Sequence, residues 1–502
     1  MKFFELFFIE KFKESERIIF PILSLVPVII ALLFMPEFMG DDTYIHIGFI
    51  KGLLETGKFS FTGTETYGST SPLWVIINSL FSLITSNPES SIRILSGIFT
   101  ILTILLLNYL LKLFDLNVNL RFLLILSLAL NPFFIKWSIS GMEASATMSF
   151  LIICMIYLFK SKDDSINYYG TFIGLSFLLR PEFLVVFVFS LLFFLKVRKN
   201  FRFIISFVTQ FLIVISAWFV YAFIHFGTII PNTFRAKAKD SFFHIEPEKL
   251  LRNIKVLVAG NFPEFIILVI IILSLIFIKF RKEDSAKNIS RKYFTIILKP
   301  ELITILLWIV GFYLFYILKN VTILSRYSLM FVPAIILLTG ILLNNLNTIL
   351  NEKIYRFVLV SYLTIILAIN NFILFNTVIP SSNNFAQGFQ NTFKKISEII
   401  KEDTSITNKS VALTDVGIVG TFSSAKVYDL AGLVESDRFN YPNYAEYVFA
   451  KKPDYLILRE EADISEVIPQ NVNYKILYQK KVPGFGINSP EPRTVTLYKI
   501  FW

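Results

Sequence analysis

Asp41 and Asp42 stand side by side at the end of an apolar run and open the stretch Asp41-Asp42-Thr43-Tyr44-Ile45-His46-Ile47. A carboxylate in hydrocarbon costs roughly 2.5–3.5 kcal/mol on insertion scales and less at the interface, so two in succession beside a membrane segment need a reason. Two chemistries suit them. A partly desolvated Asp can take a proton from a hydroxyl as a general base, and a pair can hold a divalent cation such as Mg2+ or Mn2+. The structural alternative is that Asp41 or Asp42 caps the following helix, worth about 1 kcal/mol. One cap leaves the second acid unexplained.

Further polar clusters interrupt the apolar chain. Glu143, in Ser140-Gly141-Met142-Glu143, is a second candidate acid, or a helix-start acid favoured by the dipole. Arg180 and Glu182 flank Pro181 as a site element or as an ion pair at a helix hairpin. Arg235, Lys237 and Lys239 follow Pro231-Asn232-Thr233-Phe234, and Arg326 sits in Ser325-Arg326-Tyr327. Arg matches phosphate oxygens through paired hydrogen bonds, so these are candidate phosphate ligands, with solvated loops or lipid headgroup contacts as the alternative. His46, His225 and His244 lack metal-ligand spacing, and no Gly-rich loop precedes Lys and Ser/Thr, which argues against zinc and against a nucleotide-driven pump.

The elements that must position these groups are membrane helices. With 55% hydrophobic residues, 55 Phe and 17% charged residues in 502, the chain is too apolar for a soluble protein, whose charged share is about 25%. The net charge of +11 reads as topological, because Lys and Arg gather between spans, and nucleic acid is not an expected partner. The one cysteine, Cys154, excludes an intramolecular disulfide. Apolar runs at 18–35, 91–113, 121–137, 144–160, 168–180, 183–196, 203–225, 263–280, 300–318, 328–348 and 356–378 predict about 11 spans, each near the length that crosses roughly 30 Å of hydrocarbon or somewhat short of it. The pair 168–180 and 183–196 could instead be one helix kinked at Pro181. The run 72–85 is short and reads as a juxtamembrane helix.

This count makes Lys2, Lys11, Lys13, Arg17, Lys160/Lys162, the clusters Lys196/Arg198/Lys199/Arg202 and Lys279/Arg281/Lys282/Lys287/Arg291/Lys292, and Lys353/Arg356 cytoplasmic. It puts the first outer loop (36–90), Glu143, Arg180, the loop 226–262 and Arg326 together on the outer side. Residues 1–379 then form the membrane part. After 379 the pattern turns mixed, and 380–502 read as a small extracytoplasmic α/β domain, with a helix near 389–402 and strands near 410–415, 454–459, 473–480 and 494–500.

The ordered pieces Asp-Asp-Thr-Tyr-Ile, Tyr67-Gly68-Ser69-Thr70-Ser71-Pro72-Leu73-Trp74, Ser-Gly-Met-Glu, Leu179-Arg180-Pro181-Glu182 and Ile230-Pro231-Asn232-Thr233-Phe234-Arg235-Ala236-Lys237 resemble the GT-C membrane glycosyltransferases, over about residues 18–433. The arabinofuranosyltransferase-like branch is the most similar, related to protein O-mannosyltransferases and to lipid A aminoarabinose transferases. That resemblance implies a polytopic α-helical fold in the cytoplasmic membrane and a polyprenyl-phosphate-linked sugar donor. The acceptor would be a hydroxyl of a cell-envelope glycan, lipid or protein, with inversion at the anomeric carbon. It implies Asp41, Asp42 and Glu143 as catalytic acids, with Asp41 and Asp42 also as metal ligands. Arg180, Arg235, Lys237 and Arg326 would bind donor phosphate, and Tyr44, Tyr67, Ser71, Trp74 and Asn232 would contact substrate. Leu413-Thr414-Asp415-Val416-Gly417 and Tyr428-Asp429-Leu430-Ala431-Gly432-Leu433 also recur in that branch, where Asp415 and Asp429 serve either turn chemistry or ligand contact. The rival reading is a transporter or flippase of lipid-linked glycans, which calls for charges near the membrane midplane rather than at span ends.

Overall fold

The computed structural model describes residues 11–160, 168–197, 200–237, 246–280, 298–318, 321–347, 350–459, 464–484 and 491–502; for 11–15, 237 and 274–280 it describes the backbone alone. Lys2, Lys162, Arg198, Lys199, Lys239, His244, Arg281, Lys282, Lys287, Arg291 and Lys292 lie outside the described residues.

Each apolar run forms helix, as sequences without backbone-satisfying water around them must. Six helices among the described residues are long and apolar enough to cross a membrane: Glu16–Phe34, Pro88–Lys112, Phe201–Phe226, Pro300–Leu318, Ser325–Leu346 and Glu352–Glu402. Pro247–Gly260 and Phe262–Leu273 qualify together but bend by 92°. Val118–Ala129, Ala144–Phe159, Tyr169–Leu179 and Phe183–Val197 are apolar but shorter, so length alone does not support 11 spans. The run 121–137 is not one helix. It breaks before Pro132, where the Asn131 side chain accepts from the amides of Phe133 and Phe134, both at 3.1 Å, and starts a second short helix, Pro132–Trp137. At Pro181 the chain likewise forms two helices rather than one kinked helix, because Arg180 is extended, the conformation favoured before proline.

Five strands follow: β3 (Ser410–Leu413), β4 (Lys426–Asp429), β5 (Tyr455–Arg459), β6 (Asn473–Val482) and β7 (Arg493–Phe501), numbered after the two-residue hairpin strands β1 (Ser60–Phe61) and β2 (Thr64–Glu65). They form a sheet in the order β4-β3-β5-β7-β6, parallel among the first three and antiparallel after. Four strands fall at the expected places; β4 is an addition. The period of two along each strand sends alternate residues to two cores. Val411, Leu413, Tyr455, Ile457, Val495 and Leu497 join Tyr44, Phe49, Phe59, Phe61 and Trp74 of the first loop. Ala412, Leu456, Leu458 and Ile500 pack with Tyr447 and Val448 of helix Tyr444–Lys451. One face of the sheet therefore rests on the loop that carries Asp41 and Asp42.

A single helix, Glu352–Glu402, runs through position 379 and joins membrane part to sheet. It contains three π turns, Ile366–Asn370, Leu374–Val378 and Phe385–Gln390. Such turns widen a helix locally and rotate the segment beyond them. The last one presents Gln390, whose amide donates to the Tyr44 hydroxyl at 2.8 Å and the Glu37 carbonyl at 3.0 Å. Just beyond the helix, Asp403 accepts from Lys499 Nζ and the Tyr455 hydroxyl, both at 2.6 Å, and from the Ser405 amide at 2.9 Å.

Lys499 foremost, with Ser405 and Tyr455, holds the Asp403 carboxyl well below the usual carboxylate range. Because the folded value is depressed, this stabilisation is full above the unfolded value of about 3.9 and is lost as pH falls below it. Asp403→Asn should cost about 1–3 kcal/mol at neutral pH. It should also flatten the fall in melting temperature of the detergent-solubilised chain between about pH 5 and pH 2. A melting curve parallel to that of the unaltered chain across this range would contradict the assignment.

Candidate functional site

The helix Asp41–Thr56 starts at Gly40, which occupies the cap position; Asp41 and Asp42 are its first two helical residues and neither is the cap. The capping alternative is thereby set aside for both, although acids in a first turn still gain from the dipole. Successive helical residues diverge by roughly 100°, so the two carboxylates meet different surroundings.

Asp42 ion-pairs with Arg326 Nη2, the carboxylate more than a third exposed and the guanidinium buried. Arg326 Nη2 also donates to the Tyr327 hydroxyl at 3.0 Å, and its guanidinium lies 5.8 Å from the Trp137 ring and 4.9 Å from the Tyr327 ring. Asp41 points instead to helix Val416–Phe422. A Cβ on Gly417 would lie 2.8 Å from Asp41 Oδ1 and collide with the Asp41 carbonyl oxygen, so only glycine lets the two backbones meet here. Burial, then the neighbouring Asp415 and Asp42, raises the Asp41 carboxyl well above the ordinary range, against the amides of Ile418 and Gly417. Asp415 is raised by burial too, opposed first by Arg459, whose Nη1 is 2.9 Å from Asp415 Oδ1.

Glu143 is delivered by a turn at Gly141, with φ of +81°. The turn's carbonyls are held by Thr43 Oγ1 on Ser140 at 2.9 Å, Trp74 Nε1 on Gly141 at 3.0 Å and Ser96 Oγ on Met142 at 2.9 Å. The Glu143 side chain makes no cap hydrogen bond. It pairs with Arg180 and lies 3.5 Å from His46 Nε2. Burial alone would raise its carboxyl, but Arg180, His46 and Arg326 outweigh burial and hold it below the usual range. Arg180 also binds Glu182 at 3.1 Å, and Glu182 accepts from the Tyr316 hydroxyl at 2.5 Å. Asp42, Arg326, Glu143, Arg180 and Glu182 thus alternate in sign along one line that is buried from Arg326 to Glu182 and partly exposed at Asp42, the arrangement that keeps charges stable away from water.

Three cavities adjoin this line. The largest, about 1260 Å3 including its mouth, is lined by Asp41, Asp42, Lys136, Arg326, Asp415 and Arg459 and by an apolar flank that includes Phe38, Phe133, Val378, Phe385 and Phe389. A second, about 450 Å3, is lined by His46, Ser69, Thr70, Ser71, Glu143 and Arg180, with Asp42 and Arg326 again. A third, about 620 Å3, opens beyond Arg180, Glu182, Phe234, Phe315 and Tyr316. Asp42 and Arg326 form the partition between the first two.

Of the residues singled out from sequence, Asp41, Asp42, Glu143, Arg180, Arg326 and Ser71 come together at these cavities. Tyr44, Tyr67, Trp74 and Asn232 do not line them. Tyr44 accepts from Gln390, the Tyr67 hydroxyl accepts from Trp218 Nε1 at 2.7 Å, and Asn232 clamps Thr66 Oγ1 at 3.0 Å and the Tyr67 carbonyl at 2.8 Å. They shape the loop 36–90. Arg235 stacks on Phe439 at 4.5 Å, away from the cavities, and the Lys237 side chain lies outside the described residues. His225 pairs with Glu65 at 2.9 Å, apart from the site.

Sequence reasoning missed Lys136, Arg459 and His46. Lys136 hides in an apolar run; its Nζ lies 4.8 Å from the Phe38 ring and 5.6 Å from the Trp137 ring, with no hydrogen bond or ion pair among the described residues. As for a divalent cation, the Asp41 and Asp42 side chains diverge, Asp42 is taken by Arg326, and no group of three or more His, Cys, Asp or Glu among the described residues is arranged to hold one. The donor set does not fit.

Residues 383–498 match a family model described as Domain of unknown function (DUF8728). No curated protein matches the chain. Among solved structures, the crystal structure of ArnT from Cupriavidus metallidurans bound to undecaprenyl phosphate is similar over 96% of this chain and 98% of that one, with 11% identity and a TM-score of 0.60. The chain therefore shares the ArnT fold.

Gly417→Ala should push helix Val416–Phe422 off Asp41 and cost about 1–3 kcal/mol, as overpacking does. Thermal unfolding in detergent checks this, and an unchanged melting temperature would mean the contact is looser than described.

Proposed function

We propose that the chain is an integral membrane glycosyltransferase that moves a sugar from a polyprenyl-phosphate carrier to an acceptor hydroxyl. The observation that carries this reading is the partition: one acid, Asp42, ion-paired to Arg326, faces both a cavity lined by cations, acids and an apolar flank and a smaller polar cavity. A lipid-linked sugar phosphate needs the first kind of space, and a hydroxylic acceptor needs the second. The molecule bound in the ArnT structure, undecaprenyl phosphate, is of the same class as the carrier of the proposed donor.

Charge supports the same division. In the larger cavity Arg326 is matched by Asp42 and Arg459 by Asp415, burial with Asp415 and Asp42 raises the Asp41 carboxyl well above the ordinary range, and no ion pair among the described residues matches Lys136. Lys136 is thus the lining cation without an ion pair among the described residues, against the Phe38 ring of the apolar flank, where a prenyl phosphate diester would sit. Arg326 supplies a second cation near it.

In the transfer itself, the acceptor oxygen attacks the anomeric carbon while the bond from that carbon to the phosphate oxygen breaks. Asp42 takes the hydroxyl proton, and the carrier leaves as its phosphate, stabilised by Lys136 and Arg326 without a proton donor. One displacement inverts the anomeric centre. Glu143, kept ionised by Arg180, holds Arg326 from the far side and faces the acceptor cavity with Ser71. No step is routed through a metal. The sugar, whether pentose or hexose, and the cell-envelope acceptor belong to this proposal as classes only, as do the arabinofuranosyltransferase-like branch and a cytoplasmic-membrane location with the sheet outside.

The two aspartates should behave differently. Asp42→Asn should lower transfer from a polyprenyl-phosphate sugar about 10²–10⁴-fold, the span of general-base loss. Asp41→Asn, at a carboxyl turned toward Gly417 and raised well above the ordinary range, should cost less than about 10-fold. Initial rates with radiolabelled donor in membranes holding matched protein levels decide between them; full activity in Asp42→Asn would sink the mechanism.

A further inference from the structure

The sheet end of the larger cavity carries a pair for which the proposed transfer has no use, Asp415 and Arg459. Asp415 lies between β3 and helix Val416–Phe422, and Arg459 ends β5, the strand paired beside β3. The parallel register thus puts both at the C-terminal ends of two adjacent strands, over the cavity, with Arg459 Nη1 on Asp415 Oδ1 at 2.9 Å and Thr414 Oγ1 3.2 Å from Asp415 Oδ2. Both line the cavity with Asp41 and Asp42.

A cation matched by its own carboxylate is a poor anion trap. It offers donors and acceptors at near-zero net charge, which suits vicinal hydroxyls: carboxylate oxygens accept from them and guanidinium N–H groups donate to them. A phosphate placed there would face Asp41, Asp42 and Asp415 together. Lys136 belongs to helix Pro132–Trp137 and its Nζ lies 4.8 Å from the Phe38 ring of the apolar flank, so it draws the prenyl phosphate to the membrane side of the cavity, and the sugar, bonded directly to that phosphate, extends from there toward the sheet. We propose that the Asp415–Arg459 pair, presented by the C-terminal sheet, binds hydroxyls of the donor sugar and so selects which sugar the enzyme transfers. This rests on the lipid-donor reading and deepens it, by giving the sheet a place in donor recognition.

Binding of two probes to the full chain in detergent separates the parts. One probe is bare polyprenyl phosphate; the other is the same carrier bearing mannose, glucose or arabinose. The unaltered chain should bind at least one sugar-bearing carrier more tightly than the bare one. Asp415→Asn and Arg459→Gln should weaken that sugar-bearing carrier about ten- to hundred-fold, the loss expected for charge-assisted hydrogen bonds. Affinity for bare carrier should stay within about two-fold in the same samples, which also reports that the variants are folded. Lys136→Gln should weaken both probes together.

Sugar-bearing carrier bound equally well by both variants would overturn the proposal. So would a parallel loss of bare carrier, which would make the pair structural or phosphate-binding. No gain from any sugar in the unaltered chain would overturn it as well, while leaving the prenyl phosphate site intact. Failure of the unaltered chain to bind even bare carrier would fell the lipid-donor reading first, and this proposal with it.

Discussion

Charge taken out of water has to be matched by charge of the other sign, and this constraint organises the molecule. Arg326 and Arg180 are both buried, and each is stable there because acids stand on either side: Asp42 and Glu143 for one, Glu143 and Glu182 for the other. The members come from distant stretches, so the first loop, the turn at Gly141, the Pro181 break and the segment at Ser325 are brought to one place by a shared electrostatic need. Removing either arginine leaves buried Glu143 with one cation fewer, and removing Glu143 takes an acid from both arginines at once. The line is thus at once the wall between two cavities and the reason that the surrounding helices must meet there.

The sheet depends on the same place by a different route. Its inner face packs on the helix that starts with Asp41, and helix Glu352–Glu402 ties it rigidly to the membrane part. The π turn ending at Gln390 sets the angle of that tie, because its amide reaches Tyr44 and Glu37 at once. Gly417 closes the approach to Asp41, and Thr421 Oγ1 donates to the Tyr44 carbonyl at 2.9 Å. A soluble-looking segment of the sequence is therefore built into the site.

Features that depend on local pattern could be read in the sequence. Apolar runs mark helices, alternation marks strands, and acids or arginines at the ends of apolar runs mark groups that need partners. Asp41, Asp42, Glu143, Arg180 and Arg326 stood out for that reason. Tyr44, Trp74 and Asn232 stood out as well, but polar atoms in a buried loop are as often clamps as ligands, and only their partners tell which. Lys136 could not be read, because one lysine in Phe133-Phe134-Ile135-Lys136-Trp137 looks like a tolerated snorkelling side chain. Arg459 could not be read either, since its nearness to Asp42 comes from strand order and not from any spacing along the chain. β4 is short, and its parallel pairing with β3 leaves no turn signal between them.

The neighbouring aspartates make the same point at the smallest scale. In sequence they form one feature, two acids in a row with one explanation to share. On a helix they turn apart, and each inherits a different environment: Asp42 meets a guanidinium, while Asp41 meets glycine, a second helix and another acid, and burial with Asp415 and Asp42 raises its carboxyl well above the ordinary range. Because the difference comes from the partners and not from the residues, exchanging their roles would require moving Arg326 and Gly417, which belong to opposite parts of the chain. The division of labour between adjacent, chemically identical side chains is thus set by how the membrane helices and the sheet are docked.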